Sequence, residues 1–238
     1  MDAVIHLAAI PGPTGHEPER VFSTNTDATF TVLWAAAQAG VGVIAAASSI
    51  NATGLPFTPR SDARPAYLPY DVALPTHAAD PYSLSKVVDE QTAAAINRRF
   101  GTTVVMLRLP FVGVADPDDP QSMARRIDSC AREPERWVRE LWSCLDVRDA
   151  ARAMRLALSP VDDGAHTMFV AAHETAAPYP TEELLDHFLP GVPRRQSFPA
   201  RTVPIDLRPA TDILGFEARY PPLVADVPWR DGQQAGWS

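Results

Sequence analysis

The residues best suited to chemistry stand in "YSLSK", Tyr82 to Lys86. On a helix, positions i and i+4 share a face, so the phenol and the ammonium lie one above the other. An ammonium that close favours the phenolate and lowers the tyrosine pKa from its usual ~10. A tyrosine tuned in this way can give a proton to, or take one from, a hydroxyl or carbonyl oxygen. The spacing alone is weak evidence, because such pairs also arise on ordinary amphipathic helices. Ser48 and Ser49 close an apolar run, at the kind of strand C-terminus where α/β sheets build their sites. Simple turn chemistry at a strand end explains the two serines equally well.

The elements around these residues alternate. Residues 2–9 read as a buried strand, 18–39 as a helix stopped by Gly40, and 41–47 as a second apolar strand. A Pro-rich loop runs to Pro81, and 81–99 form a helix with proline in its first turn, where a missing N–H costs nothing. "TTVVMLRL" (102–109) is a third, β-branched strand. Strand and helix alternate without a hairpin, which predicts right-handed βαβ units and a parallel sheet. Beyond Gly113 the elements shorten: a helix over 117–133, a strand over 139–147, a helix over 147–159, a strand over 166–172 and a helix over 180–189 with Thr181 as its N-cap. The fold expected is α/β, a partial Rossmann-type doubly wound parallel sheet with a small C-terminal α+β substrate lobe. Residues 1–115 would form the dinucleotide-binding part, and 116–238 the last sheet strand interleaved with the lobe.

Bulk properties narrow the function classes. The chain has 238 residues, enough to bury a sizeable core. Its net charge of −8 and lack of a basic block argue against nucleic acid and anionic membranes as partners. No apolar run approaches the ~20 residues that span a bilayer, and there is no signal-peptide pattern, so a cytoplasmic location is expected. Cys130 and Cys144 match no metal or redox spacing and read as reduced thiols, and the six histidines form no H-x-x-x-H pair. No metal is expected.

Five ordered stretches, "DAVIHLAA", "NTDATFTVLWAAAQAGV", "ASSINATG", "DPYSLSK" and "VVMLRLPFVGV", resemble the extended short-chain dehydrogenase/reductases, in particular the NAD-dependent epimerase/dehydratase group that includes nucleotide-sugar 4-epimerases. The resemblance is strong over residues 2 to about 115 and weaker through 145–158 and 214–222. It implies that Tyr82 is the catalytic acid/base and that Lys86 tunes it and holds the nicotinamide ribose. It makes Ser49 the serine that orients the substrate oxygen, five residues before Gly54, with Ser48 as its near competitor and cofactor neighbour. The aromatic residue usual before that glycine is Thr53 here. Asn25 takes the helix position that supports the site, and Glu90 fits the pattern in a structural role. Leu7, Ala8 and Ala9 would pass the adenosine ribose. Pro110 and Phe111 would flank the nicotinamide, although core packing accounts for Phe111 as well.

The implied cofactor is NAD or NADP, the implied substrate a small molecule such as a nucleotide sugar, and the implied assembly a homodimer. Dehydratases of the group place an Asp-Glu pair after the catalytic Ser/Thr. Ile50 and Asn51 stand there and cannot act as acid and base, which leaves epimerisation or simple alcohol/ketone redox chemistry. Arg125, Arg126, Arg194, Arg195, Arg201 and Arg208 are candidates for a substrate diphosphate, each better read as a solvated surface arginine.

The family's G-x-x-G-x-x-G phosphate loop does not occur, since "GPTG" (12–15) lacks the spacing. In the family, two βα units and a strand precede "DAVIHLAA", roughly 60 residues or more at ~30 per unit. The expectation is therefore a fragment or mis-started frame of a full enzyme. The alternative is a shortened relative whose first-strand edge is covered by a partner or a second copy. Such a chain would be a non-redox binding module, or would reuse Tyr82 and Lys86 in cofactor-free acid/base chemistry.

Overall fold

Four parallel strands carry the site: β1 (Ala3–His6), β2 (Val43–Ser49), β3 (Thr103–Leu109) and β6 (Ala165–Phe169), in the order β1-β2-β3-β6. This computed structural model describes residues 2–224 and 227; the end of the expected C-terminal lobe lies outside them. Strand side chains alternate between faces, and both faces here are covered by helices. Ile44, Ala46, Val104 and Met106 pack against α1 (Pro18–Gln38) and α2 (Pro81–Phe100). Ala45, Val105, Leu107 and Met168 pack against α4 (Val147–Leu156) and α6 (Arg208–Leu214). Burial on both sides explains why these strands read as continuous apolar runs.

The first strand is shorter than expected and stops at His6. Beyond it the chain is held by α1: the Asn25 amide accepts from the Ile10 N–H (2.7 Å) and donates to the Ile10 carbonyl (3.1 Å). Leu7, Ala8 and Ala9 are left exposed between strand and anchor.

A second layer lies across the C-terminal ends of the strands. It contains a two-stranded pair, β4 (Phe111–Gly113) with β5 (Cys144–Asp146), together with α3 (Met123–Arg132) and α5 (Thr181–Phe188). The Pro-rich loop belongs to this layer. Its Leu68 N–H donates to the Pro193 carbonyl (2.8 Å) and its Tyr70 N–H to the Pro204 carbonyl (2.9 Å). Leu55, Leu68 and Tyr70 share one buried cluster with Trp142, Leu184 and Phe198.

Three expectations in this half are corrected. The helix expected from 117 starts at Met123, because Asp116 and Asp119 bond backbone N–H groups two residues on and hold turns instead. The strand expected over 139–147 shrinks to 144–146, since residues 134–140 wind into a 3₁₀ turn. Thr181 is not the N-cap of α5: Pro180 holds that position, and the Thr181 hydroxyl donates to the Thr202 carbonyl (2.9 Å).

Candidate active site

The site is assembled where β2 runs out and α2 begins. Ser49 ends β2, and its hydroxyl accepts from the N–H and the side-chain amide of Asn51 (3.1 and 3.0 Å), starting a 3₁₀ turn over Ile50–Thr53. Gly54 closes that turn with φ +72°, and a Cβ there would lie 1.9 Å from the Ala78 nitrogen. Only glycine fits such a left-handed, crowded position. Thr53 is accommodated because its hydroxyl donates back to the Ile50 carbonyl (2.8 Å). The returning chain reaches Asp80, whose carboxylate caps α2 by accepting from the Ser83 N–H (2.9 Å).

Tyr82 and Lys86 lie one turn apart on the buried face of α2, with the Lys86 nitrogen 5.8 Å from the centre of the Tyr82 ring. Phe57, from the Pro-rich loop, meets the Tyr82 ring edge-on at 6.4 Å. The Ser49 hydroxyl faces Tyr82 and eases its ionisation. Asn25, fully buried on α1, donates to the Ser85 hydroxyl (3.1 Å), which in turn donates to the Tyr82 carbonyl (2.8 Å). The structure thus brings Ser49, Tyr82, Lys86 and Asn25 together.

The expected lowering of the Tyr82 pKa is not found. Burial pushes the phenol above its ordinary value, with Asp89 and Asp80 adding to the rise. The Lys86 ammonium is engaged elsewhere: it donates to the Ala47 carbonyl (3.0 Å) and pairs with Asp89 (3.5 Å). Its own pKa is lowered by burial, against the pull of Asp89 and Glu90. Asp89 and the edge-on Phe57 escaped the sequence reading. An acid three residues after the lysine, on the same helical face, was the available signal for Asp89.

Ser48 faces away from Ser49. Its hydroxyl donates to Glu90 (2.6 Å), which also accepts both arms of Arg108 (2.8 Å each). Pro110 is buried. Phe111 lies in β4, partly buried against the second-layer core, with the Arg126 guanidinium 5.0 Å from its ring centre. The reading of the arginines as solvated fails for two of them. Arg126 is buried between the Phe111 and Trp137 rings and pairs with Glu140 (2.5 Å), and Arg201 is buried and bonded to the Thr175 carbonyl (2.9 Å) and to Glu174. Arg194 pairs with Glu182 and Asp186, Arg195 lies over Tyr67, Arg208 pairs with Asp206, and Arg125 donates to the Pro117 carbonyl. Cys130 and Cys144 are free and buried, and burial pushes both thiols up to about 12.

The sequence profile described as the NAD dependent epimerase/dehydratase family matches residues 1–172. The chain belongs to that family. Among solved structures, this family member is similar to a short-chain dehydrogenase/reductase superfamily protein from Agrobacterium tumefaciens with bound NAD (25% identity, TM-score 0.64, covering 92% of this chain and 75% of that one). It shares its fold with UDP-glucose 4-epimerase from Thermotoga maritima, determined with UDP-glucose (19% identity, TM-score 0.62, 92% and 72% covered). It shares it also with UDP-N-acetylglucosamine 4-epimerase from Bacillus cereus (18% identity, TM-score 0.62, 94% and 77% covered). Comparison with curated protein sequences gives no match. No helix among the described residues is long and apolar enough to cross a membrane.

Proposed function

We propose that this family member is a nicotinamide-dinucleotide-dependent epimerase or oxidoreductase acting on a hydroxyl or keto carbon of a nucleotide sugar, and that it works as a homodimer. The observation that carries the reading is the convergence of Ser49, Tyr82 and Lys86 where β2 ends and α2 begins. The solved epimerase determined with UDP-glucose supports the substrate class. The residues at this end fit the cofactor: Leu7, Ala8 and Ala9 lie exposed just beyond β1, where the adenosine ribose would pass, and Lys86 offers a cation beside Tyr82 for the nicotinamide ribose. When bound, the nicotinamide accepts and returns hydride.

The chain's own residues manage the oxygen and its proton. Ser49 holds the reacting oxygen by a hydrogen bond, and Tyr82 takes its proton or returns it. Burial keeps the phenol protonated, so the site stands ready as an acid toward a ketone. Asn25 fixes α1 to α2 beneath the reacting groups. Ile50 and Asn51 supply no second acid/base pair, so water elimination is not part of the proposal.

The dimer reading rests on the outer faces of α1 and α2. Phe30 is 50% exposed, and a shallow apolar groove of about 360 Å³ runs beside it, lined by Trp34, Val88, Thr92, Ala95 and Arg99. Phe30→Glu is expected to shift the chain toward monomer in analytical ultracentrifugation, while an unchanged sedimentation profile would remove this face from the interface. The functional reading is tested by fluorescence titration with NADH and NADPH, followed by turnover of a panel of UDP-sugars with and without Tyr82. Saturable cofactor binding and Tyr82-dependent turnover are expected.

A further inference from the structure

Asp89 is the least expected group near the site. It is 1% exposed, lies three residues after Lys86 on the buried face of α2, and sits 3.5 Å from the lysine nitrogen through Oδ2. Its Oδ1 makes no hydrogen bond of normal geometry among the described residues. A buried carboxylate with a half-satisfied oxygen is costly, and an apolar side chain of similar size would pack there more cheaply. Nor is it needed as a cap or an arginine partner, because Asp80 caps α2 and Glu90 holds Arg108.

We propose that Asp89 is a positioning residue: it holds the Lys86 ammonium back against the Ala47 carbonyl and thereby sets how firmly Tyr82 keeps its proton. This rests on the reading of Tyr82 as the acid/base. The groups that face the pair come from every packed element. From α1, Thr29 turns its hydroxyl toward Asp89. From β1, His6 is buried with Nε2 3.4 Å from the Thr29 hydroxyl, and burial and Lys86 hold it below its ordinary pKa. From α2, Glu90 acts on both Lys86 and Asp89 while it pairs with Arg108 of β3 and accepts from Ser48 of β2.

The two partners move in opposite directions. Burial raises the Asp89 pKa and lowers that of Lys86, so the charges are held by each other more than by water. The negative charge also works on Tyr82, in the direction of keeping the phenol protonated. Neutralising Asp89 is therefore expected to let Lys86 lose its proton earlier and Tyr82 ionise earlier. Charge at Asp89 and acidity at Tyr82 are linked through geometry.

Lys86 is the only lysine in the sequence, which makes a clean experiment possible. In the full chain carrying Cε-labelled lysine, NMR follows one side-chain signal through a pH titration. In Asp89→Asn its midpoint is expected to fall by about one pH unit, about tenfold in proton affinity. Tyrosinate absorbance, taken as the difference between each chain and its Tyr82→Phe counterpart, is expected to show Tyr82 titrating lower in Asp89→Asn. A folded Asp89→Asn chain with both midpoints unmoved overturns the proposal. The unsubstituted chain gives an independent check that no folding defect can spoil: the Lys86 signal should shift a second time on the acid side, as Asp89 takes up its proton above the usual aspartate range. Absence of that second step also overturns it. Neither reading needs a substrate, so a failed Asp89–Lys86 coupling is distinguishable from a failed assignment of Tyr82.

Discussion

The Glu90 carboxylate accepts both arms of the Arg108 guanidinium and the Ser48 hydroxyl, in a place where the two charged side chains are 10% and 8% exposed. Breaking a buried pair leaves an uncompensated charge, which typically costs about 3–5 kcal/mol. Glu90→Ala is expected to destabilise the chain by about that amount in urea unfolding; a loss below about 1 kcal/mol would show the pair to be solvated. Tyr82 gives a second prediction. Burial lifts its pKa, so a reaction direction that needs the phenolate should rise with pH into the alkaline range, while one that needs the phenol should be flat through neutrality and fall only there. A rate for the first that levels off below neutrality would contradict the shift. The sequence exposed Tyr82, Lys86 and Asn25 because helical spacing and a recognisable order locate them. It favoured Ser49 over Ser48 only through the resemblance, by the spacing to Gly54, since strand alternation alone does not say which face looks toward α2's first turn. It missed Asp89 because the cost of burying a carboxylate appears only once α1 is packed against α2.

At the scale of elements, the turn between β2 and α2 is the hinge of the site. Gly54 holds φ +72° with the Ala78 backbone where a Cβ would go. Gly54→Ala must push that strand of loop away, and is expected to lower the melting temperature and weaken cofactor-dependent turnover together, while Gly101→Ala, with open space around it, should cost only stability. Equal behaviour of the two variants would show that the turn does not position Ser49. The long helices and β2 and β3 were legible because apolar period and end signals agree: proline in the first turn, Gly101 at the stop. α4, α5 and β6 were legible as well, but β4 and α6 were not, and β5 is far shorter than the strand read there. β4 and β5 have three residues each and exist by pairing with each other, and α6 forms where Ala210 and Leu214 pack under β6 and α4. Such elements are set by tertiary contact rather than local pattern.

For the whole molecule, the sheet and the second layer are joined by a chain that crosses between them repeatedly. The loop after Gly54 pairs with residues 193–206 before α2 returns to the sheet, so the floor of the site and its outer wall depend on each other. Continuous apolar runs along β2 and β3 made a sheet covered on both faces readable from sequence. The second layer was readable only as separate elements of a small lobe and not in its packing, because its core draws on residues as distant as Leu55 and Phe198. The central proposal is that Tyr82 moves the proton at a carbon whose hydride passes to a nicotinamide. The most direct measurement compares the chain with Tyr82→Phe for turnover of a UDP-sugar panel and for NADH binding. Turnover is expected to fall by about 100-fold or more while cofactor affinity stays the same. Turnover within about twofold of the unsubstituted chain would contradict it.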